Sequence, residues 1–300
     1  GWAMRKGIPA FPADPAQVAA YLAERIAKHG HKPATLRVAA AAIAFVHRIA
    51  GWDNPCARPQ VKRTLRGATR KEGRAQKQAE ALTAEALEII RETACRPRLG
   101  RGGKLESPQA AERRGTFDIA LISLMRDGML RVSEAAALTW ADLHAEADGT
   151  GRLSIRRSKT DPEGEGAVAF VSAPTMAVVN SMRHGALETD SIFRLRPNQL
   201  SKRIKRAAQA AGLGDGFSGH SPRVGMARDL ARAGIELPSL MTAGRWRTPV
   251  MPAHYIRNET AAKGAVAQLY GRQGRTAHGA HDCRCEVICS ARLDPGGLIP

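Results

Sequence analysis

The chain is poor in aromatic residues and in long apolar runs, and each shortage excludes a class of protein. Phe, Trp and Tyr together make up 4% of its 300 residues, which argues against binding of single-stranded nucleic acid through stacked bases. No apolar run approaches the ~20 residues that cross a membrane. The opening residues GWAMRK contain no apolar signal core, so export is not expected. Five scattered cysteines, an odd number, favour a reducing compartment such as a bacterial cytoplasm.

Acidic residues are also scarce, and the resulting charge points to a class of partner. The chain has 28 Asp and Glu against 46 Lys and Arg, a formal charge of +18. Such an excess creates a positive field that attracts polyanions, of which nucleic acid is the most common. With so few aromatics, double-stranded DNA held through its phosphates is the expected partner. If DNA is the partner, the protein is expected to be associated with the bacterial nucleoid. The alternative is a soluble protein whose surface is merely charged.

The first quarter of the chain carries over half of the charge excess and predicts a small helical domain, residues 1–75. Apolar spacing predicts helices at about 14–29, 33–50 and 59–71, the first opened by Asp14-Pro15. The third helix has a basic side, for which phosphate contacts and a solvated surface are both open readings. That side is formed by Lys62, Arg63, Arg66, Arg70 and Lys71. Residues 76–82 follow as the predicted linker, because this part of the chain offers little that could be buried.

Residues 83–271 predict a second, mainly α domain with a small β-hairpin or sheet. Helices are expected from Thr83 and at about 109–127, 133–143, 197–211, 221–233, 236–243, 249–257 and 260–270. Two alternating segments, 152–156 and 167–171, flank a turn-rich stretch and predict the hairpin.

Residues 272–300 show no periodicity and are expected to form a disordered tail. The tail holds His and Cys residues that could be considered as zinc ligands, but their Cys-x-Cys spacing is poor for a zinc finger. We therefore expect no metal site among His278, His281, Cys283, Cys285 and Cys289.

One ordered set of residues in the second domain can perform phosphoryl transfer. In chain order it comprises Arg131, Lys159, His220, Arg223, Trp246 and Tyr255. Transfer of a phosphodiester to a protein hydroxyl needs an oxygen nucleophile, donors for the charge on the non-bridging oxygens, and a proton for the leaving oxygen. A tyrosine can supply the nucleophile, two arginines supply paired N–H donors, and a lysine at a hairpin tip can act as general acid. The imidazole and the indole add directional hydrogen bonds. No metal or cofactor is required, because the cations are built in.

Each of these residues also has an ordinary structural explanation when it is taken alone. The arginines could lie on the surface, the lysine could be solvated, and the histidine could simply begin a helix. The two aromatic side chains could be packed in the core. The complete set in this order favours catalysis.

The sequence resembles the tyrosine recombinases, or phage integrase family, and within that family the Cre-type enzymes. The resemblance rests on residues 219–234 (GHSPRVGMARDLARAG), 241–246 (MTAGRW) and 254–258 (HYIRN). It extends well over about 83–270 and more loosely over 14–75. It implies a mainly α, two-domain clamp around duplex DNA, with a helical core-binding domain at 1–75 and a catalytic domain at 83–271. The first core-binding helix is expected to be shortened relative to the family.

The resemblance also implies a role for each residue of the set. Arg131 and Arg223 would bind the phosphate, and Glu134 would support them. Lys159 would be the general acid, and His220 an acid/base and phosphate ligand. Trp246 would stand at the position that the family fills with His or Trp, and Tyr255 would be the nucleophile.

The activity implied by the resemblance is site-specific DNA recombination. The enzyme would form a 3′-phosphotyrosine link and exchange strands through a Holliday junction, as a homotetramer on inverted-repeat sites and without ATP. Segment 260–270 would be a terminal helix that docks into a neighbouring protomer or packs on its own domain.

Three other functions are open at this stage. A type IB topoisomerase would use similar chemistry but relax DNA as a monomer. A catalytically impaired accessory protein derived from a recombinase would only bind DNA. A basic chromatin-type protein would bind DNA without site preference.

Overall fold

The chain divides into two compact units, Gly1–Gln78 and the part that begins at Ala79. The computed structural model describes residues 1–73, 78–100, 102–156 and 164–262, together with positions 264 and 267. The predicted tail at 272–300 and its candidate zinc ligands lie outside the described residues. Among the described residues, none of the helices combines the length and the apolar character of a membrane span.

The described part of the first unit is helical. It contains α1 (Trp2–Arg5), α2 (Pro15–His29), α3 (Pro33–Ile49) and α4 (Pro59–Glu72). The last three each begin at a proline, whose fixed φ suits a first helical turn, and the Asp14 carboxylate caps α2 by accepting from the N–H groups of Ala16 and Gln17. Their apolar stripes meet in one core of Val18, Leu22, Leu36, Ala40, Val61 and Ala68. The three predicted helices are confirmed within about two residues.

The second unit is mainly helical with a small antiparallel sheet, as predicted. Its helices are α5 (Ala84–Ala94), α6 (Pro108–Asp127), α7 (Val132–Ala137), α8 (Ala173–Asn180), α9 (Pro197–Ala210), α10 (Ser221–Arg232), α11 (Leu237–Gly244) and α12 (Val250–Ala262). The sheet has the order β1 (Leu143–Ala145), β2 (Gly151–Ile155), β3 (Ala167–Val171). In its register Leu153 of β2 pairs with Leu143 on one side and Ala169 on the other.

Two secondary-structure predictions in this unit were wrong. The helix expected at 133–143 ends at Ala137, because the N–H and hydroxyl of Thr139 both donate to the Asp142 carboxylate, at 2.9 and 2.8 Å. Such local side-chain bonds compete with helix formation, and the chain instead makes a short 3-10 turn and then β1. The break expected between the helices at 249–257 and 260–270 is not there, since α12 runs without interruption to Ala262. Most of 263–270, the rest of the expected terminal helix, lies outside the described residues.

The predicted linker extends too far, because its last residues belong to the second unit. Leu82 is fully buried, and its N–H donates to the carbonyl of Ser221 at 3.0 Å. The N–H of Glu80 donates to Gly216 at the same distance. Close approach of this segment to α10 requires a glycine at position 225, where a Cβ would overlap the Leu82 carbonyl. The polar residues that precede Leu82 led to its assignment to the linker, although its side chain is buried.

A second apolar cluster of this unit joins the helices that carry the candidate site. Val224, Ala227 and Ala231 of α10 pack with Leu240 of α11 and with Tyr255 and Ile256 of α12. Because these helices share one core, residues that are 35 positions apart in the chain are brought side by side.

Candidate active site

His220 and Tyr255 are in direct contact. His220 lies at the N-terminal end of α10 and Tyr255 lies within α12. The distance from His220 Nε2 to the Tyr255 hydroxyl oxygen is 2.5 Å, and the two rings meet edge to face with centroids 5.6 Å apart. When Nε2 is unprotonated, the hydroxyl donates to it, and the imidazole can accept the phenol proton.

The surroundings keep this pair in the form needed before a reaction. Burial lowers the pKa of the His220 imidazole, and the charges of Arg223 and Arg131 lower it further. Burial raises the pKa of the Tyr255 phenol, although the same two arginines act in the opposite direction. A neutral base therefore faces a protonated hydroxyl at neutral pH.

Arg223 is buried beside this pair, which rules out the explanation of a surface arginine. Its side chain is 1% exposed, and its guanidinium donates to the carbonyl oxygens of Met129, at 2.5 Å, and of Gly244. The guanidinium carbon lies 4.4 Å from the centre of a ring of Trp246, a cation–π distance. Burial lowers the pKa of Arg223 to about 9, with contributions from Arg131 and Arg245. The group still carries its charge at neutral pH.

Arg131 and Glu134 form an ion pair at the start of α7. The Arg131 backbone N–H donates to one Glu134 oxygen at 3.0 Å, and its Nη1 donates to the other at 2.7 Å. Burial by itself raises the pKa of Glu134, but the hydrogen bonds from Arg131 and the charge of Arg245 outweigh it and hold the pKa below its usual value. The carboxylate is therefore ionised.

Arg245 is a member of the site that the sequence did not single out. Its Nη2 donates to Glu134 at 2.9 Å and to the Met129 carbonyl at 3.1 Å, and its Nη1 donates to the Gly128 carbonyl at 2.9 Å. It has a left-handed φ of 53° directly after α11, where glycine is the usual residue. The signal for Arg245 in the sequence was its position directly after Gly244, the last residue of α11. Arg131 and Arg245 bind the Glu134 carboxylate, and Arg223 is near enough to interact with its charge. Three positive charges thus stand against one negative charge, and this excess of two suits an anion.

Trp246 completes the wall of the site. Its ring lies 5.9 Å from that of Tyr255 in an edge-to-face arrangement. Gly244 permits this position, since a Cβ there would overlap the indole. The tryptophan therefore supports both Arg223 and Tyr255.

Lys159 lies outside the described residues, within 157–163. The hairpin residues on either side of that segment, Ile155 and Glu165–Ala167, line a cavity of about 520 Å³ together with α11 and Trp246. The described ends of the hairpin on either side of residues 157–163 thus lie beside the site. Of the seven predicted catalytic residues, the structure brings together the other six.

The predicted DNA-contacting residues lie in the first unit and form a basic groove in part. Lys62, Arg66 and Arg70 line a groove of about 480 Å³ on α4. Arg37 of α3, which the sequence analysis did not include, lines the same groove, and its Nη2 donates to Thr69 Oγ1 at 3.0 Å. Arg63 is exposed but is not part of this lining.

Within the described ranges, no group of three or more His, Cys, Asp or Glu side chains is placed to hold a metal ion.

The chain is similar to known proteins over most of its length. The model of the phage integrase family matches residues 106–262. The chain is 27% identical to the recombinase cre of Escherichia phage P1, over 86% of this chain and 80% of that protein.

Two solved structures share the fold, each with a TM-score of 0.57 and 15% identity. The site-specific recombinase XerH, in a post-cleavage complex with a palindromic difH substrate, matches over 87% of this chain and 74% of that one. The Tn1549 transposon integrase in complex with transposon right end DNA matches over 90% and 87%. Since the family model covers just over half of its residues, the chain belongs to the phage integrase family of tyrosine recombinases.

Proposed function

We propose that this chain cleaves and rejoins duplex DNA at a specific site, with Tyr255 as the nucleophile. The observation that carries the proposal is the 2.5 Å contact between the Tyr255 hydroxyl and His220 Nε2, next to the buried guanidinium of Arg223. A nucleophile, its base and an anion-binding cluster are thereby within reach of one phosphate.

Cleavage begins with proton transfer from the Tyr255 hydroxyl to His220 Nε2. The phenolate oxygen forms a bond to the phosphorus of the scissile phosphodiester, and the bond from phosphorus to the 5′-oxygen breaks. Arg131 and Arg223 stabilise the negative charge that builds up on the non-bridging oxygens. Glu134 holds Arg131 in place through the bonds at 2.7 and 3.0 Å.

Lys159 donates the proton that the leaving 5′-oxygen needs. The described hairpin residues on either side of its segment line a cavity together with Trp246, which supports this assignment. The product is a 3′-phosphotyrosine link and a free 5′-hydroxyl. Attack by the 5′-hydroxyl of a partner strand reverses the same steps, so the bond energy is retained and no ATP is needed.

The DNA substrate is bound through both units. The groove lined by Arg37, Lys62, Arg66 and Arg70 gives the first unit, proposed as the core-binding domain, a set of phosphate contacts. The second unit, proposed as the catalytic domain, contributes the arginine cluster. A DNA substrate also places the protein at the nucleoid of a bacterial cytoplasm.

We further propose a homotetramer acting on paired inverted-repeat sites, with strand exchange through a Holliday junction. The palindromic substrate of the related XerH structure supports inverted repeats, because symmetric half-sites match symmetric protomers. Cross-linking of the DNA-bound chain tests this assembly. We expect four linked protomers for each pair of sites, and a product with only one protomer contradicts the proposal.

Covalent trapping tests the chemistry. Purified protein is mixed with nicked duplexes drawn from the DNA that flanks its gene, and the products are separated under denaturing conditions. We expect a slowly migrating adduct that is lost in Tyr255→Phe, while a native gel shows that this variant still binds DNA. Binding without any adduct from the parent chain would instead support an impaired accessory protein. An adduct that persists in Tyr255→Phe removes this residue from its role.

A further inference from the structure

Arg245 occupies a backbone conformation that arginine rarely adopts. Its φ of 53° lies in the left-handed region, which disfavours every residue with a Cβ and is usually filled by glycine or asparagine. The structure over-determines this conformation through three hydrogen bonds of the guanidinium to Glu134, Gly128 and Met129. Sparsely populated backbone conformations that are held in this way are typical of functional sites.

The bonds of Arg245 link the anchors of the two phosphate-binding arginines. Glu134 accepts from Arg131 and from Arg245, at 2.7 and 2.9 Å. The Met129 carbonyl accepts from Arg223 and from Arg245, at 2.5 and 3.1 Å. The Arg245 guanidinium thus links Glu134, which holds Arg131, to the Met129 carbonyl, which holds Arg223.

Arg245 also fixes its neighbour in the chain. Trp246 follows it directly and lies against both Arg223 and Tyr255. A change in the backbone at position 245 would therefore move the indole that supports these two side chains.

We propose that Arg245 is a positioning residue that sets the spacing of Arg131 and Arg223 for binding of the scissile phosphate in the transition state. This inference rests on the proposed function. The role is indirect, because Arg245 acts through Glu134, Met129 and Trp246. Its loss weakens the stabilisation of charge on the phosphate and leaves the binding of the surrounding DNA intact.

The test compares Arg245→Gly with a matched control. Glycine accepts the left-handed φ, so this change removes the guanidinium and leaves the backbone preference satisfied. Arg194→Gly is the control, since Arg194 also has a positive φ, of 46°, and its hydrogen bonds go to Asp190 at 2.7 Å and to Ser191. The rate of covalent adduct formation is measured at saturating DNA, on the target site recovered by trapping.

Each variant is assayed on two substrates, one with the natural scissile phosphate and one with a methylphosphonate there. The methyl group removes the negative charge that the arginines neutralise. We expect Arg245→Gly to slow cleavage of the phosphate about tenfold or more, to slow the methylphosphonate much less, and to leave DNA affinity unchanged. Arg194→Gly should match the parent chain on both substrates.

Several results would overturn the inference. Equal slowing on both substrates makes Arg245 a structural residue only, and a parental rate for Arg245→Gly removes any role. If Arg245→Gly does not fold, Arg245→Lys is assayed on the same two substrates, and the ratio of its rates on phosphate and methylphosphonate is compared. Lysine keeps the charge but cannot bind the same three acceptors. Absence of an adduct from the parent chain overturns the proposed function itself, whereas a cleaving parent with an unaffected variant overturns only the positioning role.

Discussion

At the scale of single residues, the site depends on where one proton, that of the Tyr255 hydroxyl, is held before the reaction. The Tyr255 hydroxyl and His220 Nε2 are 2.5 Å apart, while their pKa values are displaced in opposite directions by burial. This arrangement keeps the phenol protonated and the imidazole ready to accept.

The pH dependence of cleavage should report the His220 imidazole. Its pKa is lowered by burial and by Arg223 and Arg131, so the neutral form that accepts the proton persists below the usual value of about 6.5. We expect the single-turnover rate to increase from acid pH with a midpoint below that value. In His220→Asn this increase with pH should be absent. A midpoint above the ordinary histidine range would contradict the assignment.

Loss of Lys159 should be rescued by a better leaving group. Lys159→Ala removes the proposed proton donor, so cleavage of a normal phosphodiester should slow by about 10²-fold or more. A substrate with a 5′-bridging sulfur releases a thiolate that needs no proton, and on it the variant should approach the parent rate. Persistent slowing on the sulfur substrate would mean that the lysine acts in another way.

At the scale of elements, helix contacts hold the site together. The segment 79–82 lies directly against α10, and α10 carries His220 and Arg223 at its N-terminal end. Helix α12 is anchored to α10 by an ion pair in which Arg228 Nε lies 2.6 Å from Glu259, one turn after Tyr255. Buried contacts on both sides therefore fix the two helices that carry the proposed reacting groups.

The same substitution at two glycines should have opposite effects on stability. Gly225→Ala places a Cβ on the Leu82 carbonyl and should lower the free energy of unfolding by about 1–3 kcal/mol or more. Gly67→Ala, in the interior of α4 with nothing within 4 Å of its Cβ, should raise it by roughly 0.5–1 kcal/mol. Urea denaturation of both variants checks this. A neutral Gly225→Ala would show that α10 can move away from the segment.

At the scale of the whole molecule, the charge of +18 acts as a general attraction for DNA. The field concentrates a polyanion at the surface without selecting a sequence. The basic groove of the first unit gives part of that charge a defined position. Affinity should consequently depend on salt, and the dependence should be traceable to particular side chains.

Salt titrations should identify the phosphate contacts in the groove. Each phosphate contact adds about 0.9 to the slope of log affinity against log salt. Lys62→Ala and Arg66→Ala should therefore each lower the magnitude of the slope by about that amount. Lys28→Ala is the control, because Lys28 is paired with Glu24 at 3.2 Å and lies outside the groove lining; its slope should be unchanged. If the slope were unchanged in all three variants, the DNA would not bind in this groove.

The sequence by itself determined the three longer helices of the first unit and the chemical inventory of the site. Proline starts and 3.6-residue spacing fixed α2, α3 and α4 within about two residues, because these signals are local to each helix. The ordered set of Arg131, Lys159, His220, Arg223, Trp246 and Tyr255 indicated phosphoryl transfer, since few other reactions need that combination of side chains.

Only the tertiary structure decided which residues meet. Arg245 joined the site because its left-handed backbone turns the guanidinium toward Glu134, and Arg37 joined the groove because α3 lies beside α4. Leu82 and β1 were missed for the same reason, as one is buried by α10 and the other is paired by β2. Such contacts arise between segments that are distant in the chain, and the local pattern of either segment alone does not record them.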